Sequence, residues 1–173
     1  MDEESTQGTP AGLFRRLAAL LYDALLLTAL LFIVTLAMLP FSGGEAILTS
    51  TRGILGHLYH VLLLGVAFAY FGICWTRGGQ TLGMKAWRIR LQTIDGRPPN
   101  WPDALVRFTI GATLGIMAAL GWWYLQTPGW SLSDLAAGLL LLPVLANLAW
   151  IRLNGTRQTL QDLAGQMRVR RLP

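Results

Sequence analysis

The chain has 173 residues, of which 53% are hydrophobic and only 13% charged. Its length fits one domain, but its apolar residues fall in four runs of about twenty, which is the length of bilayer spans rather than of core helices in a soluble domain. The net charge of +5 would suit a nucleic-acid partner, yet the basic residues border the apolar runs. We therefore exclude nucleic acid as a partner and take the lipid bilayer as the surroundings.

The chain begins with a short polar segment, residues 1–13, which is predicted to be a flexible tail before a membrane domain at 14–171. The first apolar run follows two arginines, as in a secretory signal, but it is too long for a signal sequence and no cleavage site follows it. We expect it to stay uncleaved. The four spans are predicted at residues 16–39, 54–75, 104–125 and 132–150.

The distribution of basic residues predicts the orientation of these spans. Thirteen of the 14 lysines and arginines lie up to the start of the first span, between the second span and the start of the third, or after the fourth, and only Arg52 lies on the other side. Positive residues are retained in the cytoplasm. Both termini and the middle segment are therefore predicted to be cytoplasmic, which makes the chain a multi-pass protein of the inner (plasma) membrane.

A short pattern occurs after both the second and the fourth spans. The tripeptide QTL stands at 80–82 and again at 158–160, and an RxR tripeptide follows at 88–90 and at 168–170. QTL is predicted to start a short helix, and RxR a short strand, the first of which turns at Asp95-Gly96. The fold class is thus an all-α four-helix membrane bundle with short cytoplasmic β-hairpin or amphipathic elements. Matches this short also arise by chance, so the sequence leaves an internal repeat open.

Asp23 lies inside the first apolar run, where an ionised carboxylate costs about 2.5–3.5 kcal/mol on insertion scales. Arg16 is seven positions earlier, about 10 Å along the helix, and its side chain points back towards the cytoplasm. Arg107, at the start of the third span, is predicted to be the partner of Asp23. Two interpretations stay open: a proton or cation site, or an ion pair that fixes helix packing.

Other polar residues carry less information. Asp162 is spaced as a helix cap with Thr159, or it pairs with Arg16 or Arg107. His57 and His60 share a helix face, but two histidines without a carboxylate are poor evidence for a metal site. No catalytic pattern is present, so we expect neither an enzyme nor a cofactor.

Together these motifs resemble the RDD family of bacterial membrane proteins. The resemblance rests on Arg16, Asp23, GGQTLGMK at 78–85, the IDG turn at 94–96 and QTLQDLAG at 158–165. The family is named for one arginine and two aspartates, which Arg16, Asp23 and Asp162 match. The resemblance covers residues 14–171, although Met84-Lys85 and Gln166 depart from the usual motif ends. It implies a plasma-membrane protein for which transport, including sodium/proton exchange in some members, has been proposed.

Two functions stay open at this stage. In the first, the chain transports a cation or small solute, with Asp23 titrating and Arg16, Arg107 and Asp162 as further candidate site residues. Four spans are few for a pathway within one chain, so this hypothesis carries the expectation of a homo-oligomer. In the second, the chain is a non-catalytic membrane scaffold or assembly partner of another membrane protein, and its polar residues are structural.

Overall fold

The structure is a computed structural model and describes residues 9–42, 53–126, 132–153 and 158–172. Four long helices and two short helix–strand units make up these ranges. The elements in order are α1 (Leu13–Met38, with a 3-10 turn at Leu39–Ser42), α2 (Ile54–Gly78), α3 (Leu82–Ala86), β1 (Ile89–Thr93), α4 (Trp101–Leu125), α5 (Leu132–Leu153), α6 (Leu160–Ala164) and β2 (Met167–Arg171).

Three of the long helices are apolar enough and long enough to cross a membrane: Leu13–Ser42, Ile54–Gly78 and Trp101–Leu125. The apolar part of α5, Ala137–Leu153, is shorter. Large apolar side chains are exposed along all four helices, as expected of surfaces that face lipid. The chain therefore has the helices of a membrane protein, and the predicted helical class is confirmed.

Helix α4 begins three residues before the predicted start of the third span. The Asn100 side chain accepts a hydrogen bond from the Asp103 N–H (2.9 Å), and Asp103 accepts one from the Asn100 N–H (3.3 Å). Pro102 lies within the first turn, where a missing N–H costs nothing. The sequence prediction treated these residues as loop, and the capping box shows that they are the first turn of the helix.

The two strands form one antiparallel sheet instead of separate hairpins. Leu91 pairs with Val169 at the centre of this sheet. The expected turn after β1 is present, since the Thr93 N–H bonds the Arg97 carbonyl (2.9 Å), but no strand returns from it. Pro98 and Pro99 follow directly, and proline cannot donate to a strand ladder.

The internal repeat is real in the short units. Gln80 and Gln158, which are 78 positions apart, each donate a side-chain hydrogen bond to the first residue of the following strand (2.8 and 2.9 Å). Thr81 and Thr159 cap α3 and α6 in the same way. The QTL motifs are therefore equivalent. The two RxR motifs do not stand at equivalent positions. Arg90, the last residue of the first motif, is equivalent to Arg168, the first residue of the second.

The sheet covers one end of the helix bundle. Its inner face carries Ile89, Leu91, Met167 and Val169, which are almost fully buried and pack with Ala19, Trp75 and Ala104 of the long helices. Residues 9–11, assigned above to the flexible tail, extend this sheet: the Ala11 N–H bonds the Val169 carbonyl (3.0 Å) and the Arg171 N–H bonds the Thr9 carbonyl (2.8 Å). That part of the tail prediction is wrong; residues 1–8 lie outside the described ranges.

Candidate functional site

Asp23 lies on α1 with only 2% of its surface exposed, turned towards α3. Its carboxylate accepts hydrogen bonds from the Tyr70 hydroxyl of α2 (2.8 Å), the Gly83 N–H (2.9 Å) and the Thr81 hydroxyl. We call these four residues the Asp23 site. All three donors are neutral. Hydrogen bonds, rather than an ion pair, therefore hold this carboxylate.

Glycine at position 83 is required by how closely α3 approaches α1. A Cβ there would overlap the Ala19 carbonyl oxygen and would lie 2.9 Å from the Asp23 carboxyl carbon. The absence of a side chain lets the free N–H of Gly83, in the first turn of α3, reach the carboxylate. Asp23 therefore caps a helix that lies far from it in the sequence.

Asp162 is completely buried at the start of α6. It forms the capping box with Thr159, and it binds two arginines: Arg16 of α1, at 2.5 Å, and Arg107 of α4. We call Asp162, Arg16 and Arg107 the Asp162 cluster. Burial by itself raises the pKa of Asp162, but the charges of Arg107 and Arg16 and the hydrogen bond from the Thr159 N–H outweigh it, and the pKa falls to about 2.

The expected pairing of Arg107 with Asp23 is therefore wrong. Arg107 lies on the face of α4 that packs against α6, so its guanidinium meets Asp162. Both alternatives for Asp162, helix cap and arginine partner, are correct at once, because one carboxylate has enough acceptor positions for both. The three residues that match the family's one arginine and two aspartates therefore lie in two sites. Arg16 binds Asp162, and Asp23 lies in a separate site.

A cavity of about 430 Å³ is lined by Asp23 and by both arginines of the Asp162 cluster, and we call it the central cavity. Its polar lining includes Arg16, Asp23, Trp75, Arg107 and Asn147. Asn147 in turn accepts a hydrogen bond from the Leu160 N–H (2.9 Å), which fixes α6 to α5. The remaining walls are mostly apolar, supplied by α1, α4 and α5. Asp23 and the two arginines therefore face one shared space.

The two histidines lie near the start of α2. His57 and His60 are exposed on α2, and the His60 ring contacts the Gly56 carbonyl (2.6 Å) and the Tyr59 ring. Within the described ranges, no group of three or more histidine, cysteine, aspartate or glutamate residues could hold a metal ion.

Sequence reasoning missed three of the contributing residues. Tyr70 and Trp75 lie within an apolar run, and Gly83 carries no functional group. Trp75 stacks against the Arg107 guanidinium, 5.3 Å from the ring centroid. A signal was available for Tyr70 and Trp75, because a buried Tyr O–H and a buried Trp N–H both usually have a hydrogen-bond partner.

Comparison with known proteins gives one result. The model of the RDD family matches residues 10–166, which is most of the chain. No curated protein and no solved structure matches it. The match includes Arg16, Asp23 and Asp162, the first short helix–strand unit and α6, and it ends directly before β2.

Proposed function

Because this chain belongs to the RDD family, we propose that it is a four-span protein of the inner membrane with both termini in the cytoplasm. The sheet supports the number of spans. Paired strands lie on one side of a membrane, so the chain between β1 and β2 crosses it an even number of times. Helix α4 is long enough to cross, and α5, with 22 residues or about 33 Å, brings the chain back.

The same reasoning supports a cytoplasmic N-terminus. Residues 9–11 pair with β2, so α1 and α2 together also return to the side from which they started. The sheet-side segments carry almost all of the basic residues, which favours the cytoplasm for that side.

Within this topology, we assign to the protein the transport of a cation or a cation-coupled solute, with Asp23 as the titrating group and two copies forming the assembly. The observation that carries this proposal is Asp23, which is among the residues that line the central cavity and whose carboxylate is held by neutral donors. A carboxylate offers about four acceptor positions, and the three hydrogen bonds leave one for a proton or Na⁺. A carboxylate held by arginine would stay ionised, as Asp162 does.

Flux measurements in proteoliposomes test the role of Asp23. With an imposed Na⁺ gradient, we expect the wild-type protein to change the internal pH and Asp23→Asn to lose that change, because asparagine keeps the shape but cannot exchange a proton. Asp95→Asn is the matched control, since Asp95 lies in an exposed turn. Equal fluxes in the wild type and Asp23→Asn would contradict the proposal.

A second candidate function is that of an assembly partner, favoured by the outer face of the sheet. Arg90, Arg168 and Arg170 project from this face at neighbouring positions of the two strands, and a face of basic side chains suits an acidic partner. A photo-crosslinker at Gln92, on the same face, tests this candidate. A cross-link to an acidic membrane protein that disappears in Arg90→Ala would support it, and its persistence in that variant would count against it.

A further inference from the structure

The outer face of the sheet carries three arginines at adjoining positions. Arg168 and Arg170 alternate with buried residues of β2, and Arg90 lies opposite Arg170 on β1. We call these three residues the basic face. Arg90 and Arg168 are partly exposed, and neither forms an ion pair with an acidic residue of the described ranges. These two arginines therefore leave positive charge for a further acidic group.

The acidic residues beside the sheet in the described ranges already have partners. Asp162 binds its two arginines, Asp95 binds Arg97, and Asp103 belongs to the capping box of α4. Three of the nine acidic residues of the chain stand together at positions 2–4, with the sequence DEE. We call these three residues the acidic segment. Its charge is opposite to that of the basic face.

The chain enters the sheet beside the basic face. Pro10 is exposed and forms a bridge with Arg170, and the Arg171 N–H bonds the Thr9 carbonyl (2.8 Å). The last residue of the acidic segment stands five positions before Thr9, a span of at most about 18 Å. Neighbouring strands lie about 4.8 Å apart, and residues two apart on one strand lie about 7 Å apart. Every arginine of the basic face is therefore within reach of the acidic segment.

The short connection favours an association within one chain. A short linker gives its two ends an effective concentration on the order of millimolar. At about 0.1 M salt, charges attract one another across roughly 10 Å, which is the size of the basic face. Ion pairs too weak to hold a free peptide can therefore hold a segment that is already tethered beside them.

We propose that the acidic segment docks on the basic face of its own chain, with its carboxylates beside Arg90 and Arg168. The docked segment covers the surface that an acidic partner would need, so a partner has to displace it. The contact is therefore autoinhibitory for binding at this face. The docking itself requires neither of the functions proposed above.

Spin labels at Ser5→Cys and Gln92→Cys, in a Cys74→Ala background, test the docking in the full chain in detergent. Gln92 lies on the same face of β1 as Arg90. We expect a short distance between the labels that shifts to longer values when Asp2→Asn, Glu3→Gln and Glu4→Gln together neutralise the acidic segment. Asp95→Asn, which removes an exposed acid from the turn after β1, is the matched control and should leave the distance unchanged.

A charge exchange tests the arginines separately from the stability of the sheet. Arg90→Glu with Arg168→Glu should lengthen the distance between the labels, and so should three lysines in place of the acidic segment. The two sets of changes combined should restore the short distance, because opposite charges again face each other. Damage to the sheet would not be repaired by lysines outside it.

A fluorescent oligoglutamate peptide tests the autoinhibition. We expect the variant with the neutralised acidic segment to bind this peptide at least about tenfold more tightly than the wild type, because no tethered competitor remains. Removing Arg90 and Arg168 as well, by Arg90→Gln and Arg168→Gln, should abolish the gain.

Three results would overturn the proposal. The first is a distance between the labels that stays the same when the acidic segment is neutralised. The second is an equal affinity of the wild type and that variant for the peptide. The third is a short distance in a mixture of two singly labelled proteins, which would assign the acidic segment to the basic face of a second copy.

Discussion

At the scale of single residues, the two buried carboxylates show how surroundings divide similar groups between different roles. Asp162 has two cationic partners, whereas Asp23 has neutral donors. A buried ion pair contributes little net stability but is costly to break from one side. Asp162 is therefore a structural residue that joins α1, α4 and α6, whereas Asp23 is bound by donors of α2 and of the segment that starts α3.

Removing the charge of Asp162 tests its structural role. Asp162→Asn removes the carboxylate that two arginines bind, with side chains only 11% and 7% exposed, and we expect a loss of about 3–5 kcal/mol in stability. Asp95→Asn removes the partner of Arg97 at the surface, where both side chains are more than 60% exposed, and is expected to cost under about 1 kcal/mol. Thermal unfolding in detergent measures both losses. Equal melting temperatures of Asp162→Asn and Asp95→Asn would disprove the structural role of Asp162.

The lowered pKa of Asp162 predicts how stability depends on pH. Its folded value of about 2 lies below the ordinary value of 3.8, so the ionised form favours the folded state. This contribution, roughly 2 kcal/mol, is complete above pH 3.8 and is lost as the pH falls towards 2. The difference in stability between the wild type and Asp162→Asn, followed by unfolding from pH 5 to pH 2, should shrink across this window. A constant difference would show that the charge of Asp162 does not contribute.

At the scale of elements, the sequence predicted which segments would form but not how they would meet. The four apolar runs, the helix starts at Thr81 and Thr159 and the strands were all found from local patterns. The pairing of β1 with β2 was not, because alternation defines a strand and says nothing of its partner. The partner of Arg107 was missed for a similar reason: it depends on the rotation of α4 about its axis and on where α6 docks.

The contact between α1 and α3 depends on Gly83. Gly83→Ala would push α3 away from the Ala19 carbonyl and break the hydrogen bond from its N–H to Asp23. We expect a loss of about 1–3 kcal/mol from overpacking, accompanied by loss of whatever activity Asp23 supports. Gly78→Ala, at the end of α2 with open space around its Cβ, should be neutral or slightly stabilising. Melting temperatures of the two variants compare them directly, and similar values would show that α3 tolerates a side chain there.

At the scale of the whole molecule, the sheet relates the two halves of the chain. Leu91 and Val169, which are equivalent residues of the two units, pair with each other, so a local two-fold axis passes between them. The halves differ in where they carry the acid: Asp23 on a long helix in the first, and Asp162 on a short helix in the second. A repeat with this asymmetry gives one carboxylate that binds two arginines and one that accepts hydrogen bonds from neutral donors beside the cavity.

The sheet also requires that its strands lie on one side of the membrane, and this predicts a labelling pattern. In a Cys74→Ala background, we expect a membrane-impermeant maleimide to label Arg52→Cys and Thr127→Cys on intact spheroplasts, because both positions follow an outward crossing. Asp95→Cys, in the exposed turn after β1, should be labelled only in inside-out vesicles, and so should Arg171→Cys in β2. Labelling of positions 95 and 171 from opposite sides would contradict the strand pairing. Only α4 and α5 are long enough to cross between the two strands, so an even number of crossings there means two or none. Labelling of position 127 from the cytoplasmic side would therefore mean that neither helix crosses.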